Sequence, residues 1–290
     1  MHCLVFGTTG QVGLELDRLA PAMGARLTAL GRDRADLADP AACAAAVAGT
    51  DADIVINAAA YTAVDQAETD LALAETINGD APGAMARAAA ARRLPFLHLS
   101  TDYVFDGTGD RPWMETDLTA PLGAYGASKR EGEIQVAGAG GAHVILRTAW
   151  VFSAHGRNFV KTMLRLGADR ETLSVVADQR GGPTPAADIA RALFSIAHAF
   201  HQGRGAKGIF HFTGSPAVAW ADFAEAIFAA SSLPRKPSVT RIPTSAYPTP
   251  ARRPANSMLN CEKIRSLYGI EQPDWRLGLA DVIRELETKE

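Results

Sequence analysis

Short apolar runs alternate with segments of helical periodicity along the first half of the chain. The apolar run His2–Phe6 is followed by a glycine-rich turn, after which Val12, Leu16 and Leu19 recur at the spacing of one helix face. Later segments continue this alternation of strands and helices: Arg26–Leu30, 40–47, 53–57, 81–92 and 95–99. The pattern predicts an α/β fold, with a Rossmann-type doubly wound parallel sheet.

The glycine-rich turn is the strongest local signal in the chain. Gly7, Gly10 and Gly13 stand between a predicted strand and a predicted helix. In that context glycine permits a tight turn, close approach of the backbone to a pyrophosphate, and close packing of helix on strand. The amides of the helix N-terminus favour phosphate there. The sequence therefore predicts a dinucleotide-binding turn.

The end of the second strand bears on the choice of cofactor. An acidic residue at this place holds the ribose hydroxyls of NAD, whereas arginine suits the 2′-phosphate of NADP. Arg32 stands here and favours NADPH, while Asp33 leaves NADH open. The simpler interpretation of Arg32 is a solvated loop residue.

Beyond residue 147 the regular alternation breaks down. Residues 186–198 and 221–230 predict helices, residues 208–213 predict a strand, and the proline-rich stretch 234–254 predicts irregular structure over the crevice. We expect a dinucleotide-binding domain of residues 1–147 plus about 186–207. A smaller C-terminal substrate-binding lobe would comprise about 148–185 plus 210–290.

Tyr125 and Lys129 are four residues apart at the start of a predicted helix, so their side chains face one small volume. A neighbouring ammonium favours a phenolate, which predicts that the pKa of Tyr125 lies below its ordinary value of roughly 10. Thr101 follows the strand at 95–99. Because open α/β sheets place ligands at the carboxyl ends of their strands, we expect Thr101 and Tyr125 over the same crevice.

Composition excludes several classes of function. With 290 residues, 47% of them hydrophobic and 21% charged, the chain is typical of a globular protein with a substantial core. Its formal net charge of -3 gives no basic field for nucleic acid. Cys3, Cys43 and Cys261 lack the spacing of metal ligands, and no apolar run approaches the roughly 20 residues that span a bilayer. We expect a cytoplasmic protein that binds neither nucleic acid, membrane nor metal.

Several segments together resemble one family. They read GTTGQVG at 7–13, NAAAYTAVDQAE at 57–68, STDYVFDG at 100–107, YGASK at 125–129, LRTAWVFSAHGRNFVKTML at 146–164 and PTSAYPTPARRPANSMLN at 243–260. The first and fourth resemble the extended short-chain dehydrogenase/reductase superfamily, and the others resemble the dTDP-4-dehydrorhamnose reductase family within it. The resemblance implies reduction of the C4 ketone of dTDP-4-dehydro-6-deoxy-L-mannose to dTDP-L-rhamnose, with NADPH as hydride donor.

The resemblance also implies roles for individual residues. Tyr125 would protonate the carbonyl oxygen, Lys129 would hold the nicotinamide ribose and lower the tyrosine pKa, and Thr101 would bind the C4 oxygen. Asp102 and Trp150 would contact the sugar. The full set of predicted cofactor-binding residues is Gly7, Gly10, Gln11, Val12, Gly13, Arg32, Asp36, Leu37, Ala60, Tyr61, Thr62, Leu99, Tyr125 and Lys129.

Three further residues are candidates for the nucleotide diphosphate. Arg252 and Arg253 carry guanidinium groups that suit phosphate oxygens, and Asn158 is an amide in one of the family-like segments. Exposed arginines in a proline-rich loop are equally consistent with a solubilising role.

Two alternatives to this function stay open. The first is another nucleotide-deoxysugar 4-ketoreductase, with the same fold and hydride chemistry. The second is a non-catalytic regulatory subunit of the methionine adenosyltransferase type, which resembles these reductases. The presence of Thr101, Tyr125 and Lys129 together favours an enzyme.

Assembly is where the sequence departs from the family pattern. Some members form dimers through a divalent metal held by acidic residues, one of them at the place of Glu15. A second acid is expected where Ala186 and Ala187 stand, with Asp188 one position away. The sequence predicts a monomer or a metal-free homodimer.

Overall fold

The computed structural model describes residues 1–288 and contains a central sheet of six parallel strands in the order β10-β5-β4-β3-β1-β2. The strands are β1 (His2–Phe6), β2 (Arg26–Leu30), β3 (Ile54–Asn57), β4 (Phe96–Thr101), β5 (His143–Thr148), β6 (Val151–Phe152), β7 (Thr172–Val176), β8 (Arg180–Gly181), β9 (Thr184–Pro185), β10 (Gly208–His211), β11 (Val218–Ala219), β12 (Ser238–Ile242) and β13 (Asn256–Ser257).

Helices cover both faces of the central sheet. They are α1 (Gln11–Leu19), α2 (Pro40–Gly49), α3 (Leu71–Glu75), α4 (Ala81–Ala91), α5 (Ala124–Gly138), α6 (Phe159–Asp169), α7 (Ala186–His201), α8 (Trp220–Ala230), α9 (Glu262–Tyr268) and α10 (Trp275–Glu287). Apolar residues of α1 and α7 pack on one face, and those of α2 and α4 pack on the other. The predicted Rossmann-type α/β fold is confirmed.

The strand order reverses beside β1, and this reversal positions the site. The chain passes from β1 to β2 on one side and then to β3 on the other, so that Val5 pairs with both Ala29 and Ile56. In open α/β sheets a ligand crevice lies at the carboxyl ends of the strands flanking such a switch point. Here the crevice opens above Phe6 and Asn57, the last residues of β1 and β3.

The later chain builds a second core from α6, α8, α10 and short sheets. Phe152, Phe223 and Trp275 are buried there. The predicted irregular stretch 234–254 was partly wrong, because β12 lies within it and pairs in parallel with β7. Strand β12 is exposed and mostly polar, so no local apolar pattern predicts it. Its partner β7 lies about 60 residues earlier in the sequence.

The predicted helix at 81–92 begins earlier than expected. Helix α3 continues through a π-helical turn at Thr76–Asp80 directly into α4. Such turns frequently occur at functional sites, and this one places Asn78 beside the cleft described below.

Two later elements pack with the central sheet rather than with the second core. Strand β10 pairs with β5, and Ile264 of α9 joins the core that contains α1 and α7. Helix α9 and the last two residues of β10 fall within the predicted substrate lobe of 210–290, but their packing would assign them to the dinucleotide-binding domain. Residues 289 and 290 of that prediction lie outside the described residues. Within residues 1–288, no helix is long and apolar enough to cross a membrane.

Candidate active site

A cleft of about 460 Å³ lies at the carboxyl ends of β1, β3 and β4. This volume is within the range of small-molecule sites. The structure brings all the predicted cofactor-binding residues to its lining except Gly13. The sequence did not predict the lining residues Thr8, Thr9, Leu30, Gly31, Ala35, Ala58, Ala59, Ile77, Ser100, Thr148, Val151, Gly156 and Arg157.

The glycine turn has room for a phosphate because side chains are excluded from it. Gly7 has φ of +91°, and a Cβ added there would lie 2.5 Å from the nitrogen of Ala59. A Cβ on Gly13 would lie 2.1 Å from the Gly7 carbonyl oxygen, so Gly13 acts through packing behind the lining. Gly10 caps α1 without a side-chain hydrogen bond, which leaves the first helix amides for an anion. This geometry fits a dinucleotide pyrophosphate.

The loop before α6 forms the facing wall of the cleft. Gln11 Oε1 accepts hydrogen bonds from Ser153 Oγ at 2.8 Å and from Asn158 Nδ2 at 2.9 Å. Asn158 Oδ1 accepts from Lys161 N and caps α6. Both polar atoms of Asn158 are thus engaged within the protein, and its substrate role stays a prediction. The same loop brings the exposed Arg157 to the lining, a residue that sequence reasoning missed because no motif marks it.

The outer end of the cleft is bordered by Arg32, Asp36 and Leu37. Arg32 is exposed, and its guanidinium makes no hydrogen bond or ion pair within residues 1–288. Leu37 is buried and offers an apolar surface. A free guanidinium beside an apolar wall suits an adenosine that carries a 2′-phosphate.

The π-helical turn ties the loop after β3 to the start of α5. Asn78 Oδ1 accepts from Tyr61 N at 2.8 Å, and Asn78 Nδ2 donates to Tyr61 O and Ser128 Oγ, both at 3.0 Å. Ser128 Oγ in turn donates to Tyr125 O at 2.9 Å. Asn78 therefore fixes the predicted cofactor residue Tyr61 relative to the helix that carries Tyr125. Nothing in the local sequence distinguishes this asparagine.

Thr101, Asp102 and Tyr125 form one buried cluster at the end of β4. Thr101 Oγ1 donates to Asp102 Oδ1 at 3.0 Å, and the Thr101 hydroxyl is hydrogen-bonded to the Tyr125 phenol. Burial raises the pKa of Tyr125 to about 12; the Thr101 hydrogen bond opposes this effect and the charge of Asp102 adds to it. The predicted lowering of the Tyr125 pKa by Lys129 was therefore wrong.

Lys129 is held away from that role by its own contacts. Its Nζ donates to the Leu99 carbonyl at 2.7 Å and lies 3.3 Å from His98 Nε2. Burial lowers the pKa of Lys129 to about 8, with the charge of Glu133 opposing the shift. A pKa of about 8 leaves Lys129 mostly charged at neutral pH and lets it lose its proton in mildly alkaline solution.

Asp102 is a buried acid in an environment that disfavours its charge. Burial raises its pKa to about 6, while hydrogen bonds from Ser257 and Thr101 oppose the shift. Its side chain is 2% exposed, and Oδ2 lies buried outside hydrogen-bond geometry. The carboxyl is therefore easily protonated, and in that form it can donate a hydrogen bond.

Trp150 forms an aromatic platform on the lobe side. Its backbone has φ of +50°, and its ring stacks on Trp220 with centroids 3.5 Å apart and planes 10° apart. A Cβ added to Gly181 would lie 2.7 Å from Trp150 Cε2 and 3.1 Å from Ser257 Cβ. Gly181 thus lies between the Trp150 ring and Ser257. Trp220 packs against one face of the Trp150 ring.

Arg253 is tied to the opposite loop by an ion pair. Its two terminal nitrogens donate to the carboxylate oxygens of Asp65 at 2.9 and 2.8 Å, and Asp65 Oδ1 also accepts from Ala251 N at 3.1 Å. The pairing fastens the proline-rich loop to the loop after β3. Arg252 is exposed beside it. A phosphate role for either arginine stays a prediction.

The acids that bear on assembly are paired with basic residues. Glu15 Oε2 accepts from Arg18 Nε at 2.8 Å, and Glu15 Oε1 lies 3.2 Å from His155 Nε2. Asp188 Oδ1 accepts from Arg191 at 2.6 Å. Across residues 1–288, no group of three or more histidine, cysteine, aspartate or glutamate side chains is placed to hold a metal ion. The metal-free assembly stays a prediction.

Comparisons with known proteins agree on one family. Residues 1–288 match the family described as the RmlD substrate binding domain. A relative named dTDP-4-dehydrorhamnose reductase, from Burkholderia thailandensis, is 47% identical, with 99% of each chain covered. Among solved structures, the chain is similar to a dTDP-4-dehydrorhamnose reductase of Clostridium acetobutylicum, with 34% identity, TM-score 0.92 and coverage of 99% and 100%. It is also similar to the Bacillus anthracis dTDP-4-dehydrorhamnose reductase in complex with NADP, with 33% identity, TM-score 0.91 and coverage of 98% and 99%.

Proposed function

The chain belongs to the RmlD substrate binding domain family, and from this premise we propose that it reduces the C4 ketone of dTDP-4-dehydro-6-deoxy-L-mannose to dTDP-L-rhamnose with NADPH. The observation that carries the proposal is that Tyr125 and Lys129 line one cleft with the glycine turn, while Thr101 is buried beside Tyr125. A dinucleotide site and a proton donor in one crevice are the two components that ketone reduction requires.

The residues of the cleft fit NADPH. The backbone of Gly7 and Gly10 and the N-terminus of α1 would hold the pyrophosphate, and Arg32 would contact the 2′-phosphate. Tyr61 and Lys129 would lie along the nicotinamide end of the cleft. When bound, NADPH supplies the hydride that no side chain supplies.

Tyr125 acts as the general acid in this proposal. Reduction places negative charge on the carbonyl oxygen, and a phenol whose pKa is raised to about 12 stays protonated until that charge develops. Thr101, hydrogen-bonded to the phenol, would bind the same oxygen and orient it. Without substrate the Thr101 hydrogen points to Asp102 Oδ1, so binding of the carbonyl oxygen would require this hydrogen to turn from the carboxylate to the substrate. The mechanism assigns Tyr125 the proton and Thr101 the placement of the oxygen.

The sugar nucleotide would lie between these groups and the second lobe. The Trp150 ring, supported by Trp220, offers an apolar face for the deoxysugar. Arg253 would contact the diphosphate and is held for this role by Asp65. This arrangement uses the predicted division into a dinucleotide-binding domain and a substrate lobe, with β10 and α9 assigned to the first.

We further propose a cytoplasmic monomer or metal-free homodimer. The three cysteines are buried and unpaired, as is usual in a reducing compartment. The pairing of Glu15 with Arg18 supplies the positive charge that a metal would otherwise bring. Light scattering with and without chelator tests the assembly, and dissociation by chelator would contradict it.

The function is tested by following NADPH oxidation with the 4-keto sugar nucleotide generated in place. We expect Tyr125→Phe to lower kcat by about 100- to 10,000-fold, the usual contribution of a general acid. Tyr268 lies on α9 and does not line the cleft, and its hydroxyl donates to the Ala206 carbonyl. Tyr268→Phe is therefore the matched control. We also expect faster turnover with NADPH than with NADH.

Two results would overturn the proposal. Turnover of Tyr125→Phe within a few-fold of the unchanged protein would exclude the assigned acid. Cofactor binding without turnover of this sugar would favour another 4-keto sugar or a regulatory subunit.

A further inference from the structure

Arg157 lines the cofactor cleft and takes no part in the mechanism above. The residue is exposed, and its guanidinium makes no hydrogen bond or ion pair within residues 1–288. Arg253 of the proline-rich loop, by contrast, is paired with the carboxylate of Asp65. A guanidinium that borders a cleft without a carboxylate partner keeps its donors available for a ligand.

The loop that carries Arg157 is fastened to the start of α1. Gln11, the first residue of that helix, accepts hydrogen bonds from Ser153 and Asn158, which lie at the two ends of the loop. Asn158 Nδ2 also donates to the carbonyl oxygens of Ser153 and His155, at 2.8 and 3.2 Å. The His155 ring adds a contact with α1, since its Nε2 lies 3.2 Å from Glu15 Oε1. These bonds fix the course of the loop relative to α1.

Gly156 brings the loop against the first residue of α1. It has φ of +60°, and a Cβ added there would lie 3.6 Å from Gln11 Cγ. Arg157 follows directly. Gly10 gives α1 no side-chain cap, so the first amides of the helix are free at the same place. Arg157 and these amides therefore border one part of the cleft from two walls.

The three cationic side chains that line the cleft, among the residues that the structure describes, have different places. Arg32 follows β2 at the outer end. Lys129 lies at the end of β4, where its Nζ donates to the Leu99 carbonyl at 2.7 Å. Arg157 is the cation beside the glycine turn, because its loop lies on Gln11.

We propose that Arg157, positioned by Gln11, binds the pyrophosphate of the dinucleotide from the wall opposite the glycine turn. The amides of α1 would serve the pyrophosphate on one side. On the other side, the guanidinium is suited to two parallel hydrogen bonds to phosphate oxygens. The Gln11 side chain then acts as a positioning group that holds the loop. This inference rests on the proposed function, because it requires a dinucleotide in the cleft.

Arg157 and Arg32 would therefore contribute differently to cofactor binding. NADH and NADPH share the pyrophosphate, whereas only NADPH has the 2′-phosphate. Arg157 would strengthen the binding of both cofactors equally, and Arg32 would discriminate between them.

Fluorescence titration of Arg157→Ala with NADPH and with NADH tests this difference. We expect the affinity for each cofactor to fall about tenfold, the effect of losing one exposed arginine–phosphate contact. Arg165→Ala is the matched control, because Arg165 is exposed on α6 and does not line the cleft, so that it removes the same charge. An effect of Arg157→Ala no larger than that of Arg165→Ala would assign Arg157 to the solvated surface and overturn the proposal.

Two fragments of the cofactor separate the phosphate sites. ADP-ribose contains the pyrophosphate without the 2′-phosphate, and adenosine 2′-monophosphate contains the 2′-phosphate without the pyrophosphate. We expect Arg157→Ala to weaken ADP-ribose alone, and Arg32→Ala to weaken adenosine 2′-monophosphate alone, in displacement of bound NADPH. Loss of both fragments, or of adenosine 2′-monophosphate alone, in Arg157→Ala would overturn the proposal. These titrations need no turnover, so the proposed reduction, which is tested with the 4-keto sugar nucleotide, fails or stands separately.

A double-mutant cycle tests the positioning by Gln11. In Gln11→Ala the loop loses its two side-chain bonds to the start of α1, while the backbone amide at that position is kept. We expect Arg157→Ala to weaken ADP-ribose by a smaller factor in this background than in the unchanged protein. Equal factors in the two backgrounds would overturn the role of Gln11.

Discussion

One wall of the cleft presents backbone to the cofactor, whereas the other presents buried side chains to the reacting atoms. At the glycine turn, Gly7 and Gly13 exclude any Cβ, and α1 begins without a side-chain cap. At the end of β4, Asp102 and Tyr125 have pKa values raised by burial, and burial lowers that of Lys129. The first wall works through shape, and the second through the protonation states that burial imposes.

This difference predicts which changes each wall tolerates. Shape on the cofactor wall depends on contacts near 2 Å for an added carbon, so a single methyl group is disruptive. Protonation on the catalytic wall depends on burial and hydrogen-bond direction, so isosteric changes alter function while packing is kept. The experiments below address each wall in turn.

Gly13→Ala is expected to have the largest effect of these changes. The new Cβ would lie 2.1 Å from the Gly7 carbonyl oxygen, so α1 and the turn must separate. We expect unfolding free energy to fall by about 1–3 kcal/mol or more, as for overpacking, and NADPH affinity to fall by at least about 100-fold. Chemical denaturation measures the unfolding free energy, and fluorescence titration measures NADPH affinity.

Gly138→Ala is the matched control for this change. Gly138 ends α5, and an added Cβ would meet nothing within 4 Å. In a helix, alanine is favoured over glycine by up to about 1 kcal/mol, so we expect equal or greater stability. Normal NADPH binding by Gly13→Ala would show that the cofactor wall does not depend on this packing.

Asp102→Asn tests the catalytic wall through the pH dependence of stability. The folded-state pKa of Asp102 is raised from 3.8 to about 6, so the folded form holds a proton that the unfolded chain releases between these values. The stability contributed by Asp102 is therefore fully present below about pH 4 and lost as the pH rises through 6. The shift corresponds to about 3 kcal/mol.

We expect this loss to be absent in Asp102→Asn, because the amide does not ionise. Denaturation between pH 4 and 7 would then give a flatter stability profile for the variant than for the unchanged protein. Asp110→Asn, which changes an exposed aspartate, should keep the original slope. Parallel profiles for Asp102→Asn and the unchanged protein would contradict a buried, easily protonated carboxyl.

Arg32→Ala should have the smallest effect, at the outer end of the cofactor wall. Loss of one exposed arginine–phosphate contact is expected to weaken NADPH binding about tenfold, or about 1.4 kcal/mol, with NADH binding unchanged. Arg34→Ala is the control, because Arg34 is exposed in the same loop but does not line the cleft. An equal loss for both cofactors would assign Arg32 a role other than phosphate recognition.

The cofactor wall could be predicted from the sequence to a large extent. A strand, three glycines and a helix follow one another within residues 2–19, so local pattern alone places the turn and its ligand. What local pattern missed is the facing loop. Arg157 reaches the cleft only because Gln11 binds Ser153 across a large separation in sequence.

The catalytic wall was predictable in its residues but not in their electrostatics. The Tyr125 and Lys129 spacing correctly places both side chains in the cleft. It gave the wrong direction for the Tyr125 pKa, because burial and the contacts of Lys129 with Leu99 and His98 depend on the packing of β4 against α5. For the same reason, no sequence pattern identified Asn78 on its π-helical turn.

The central claim is that the catalytic wall keeps the proton on Tyr125, and titration of that phenol tests it most directly. With tyrosine rings labelled at Cζ, the Tyr125 signal is assigned by its absence in Tyr125→Phe. We predict a pKa of about 12, so that the signal stays unchanged through the pH range near 10 in which an ordinary phenol ionises. A Tyr125 midpoint below the ordinary value of roughly 10 would contradict the account and restore Lys129 as a charged partner of the phenolate.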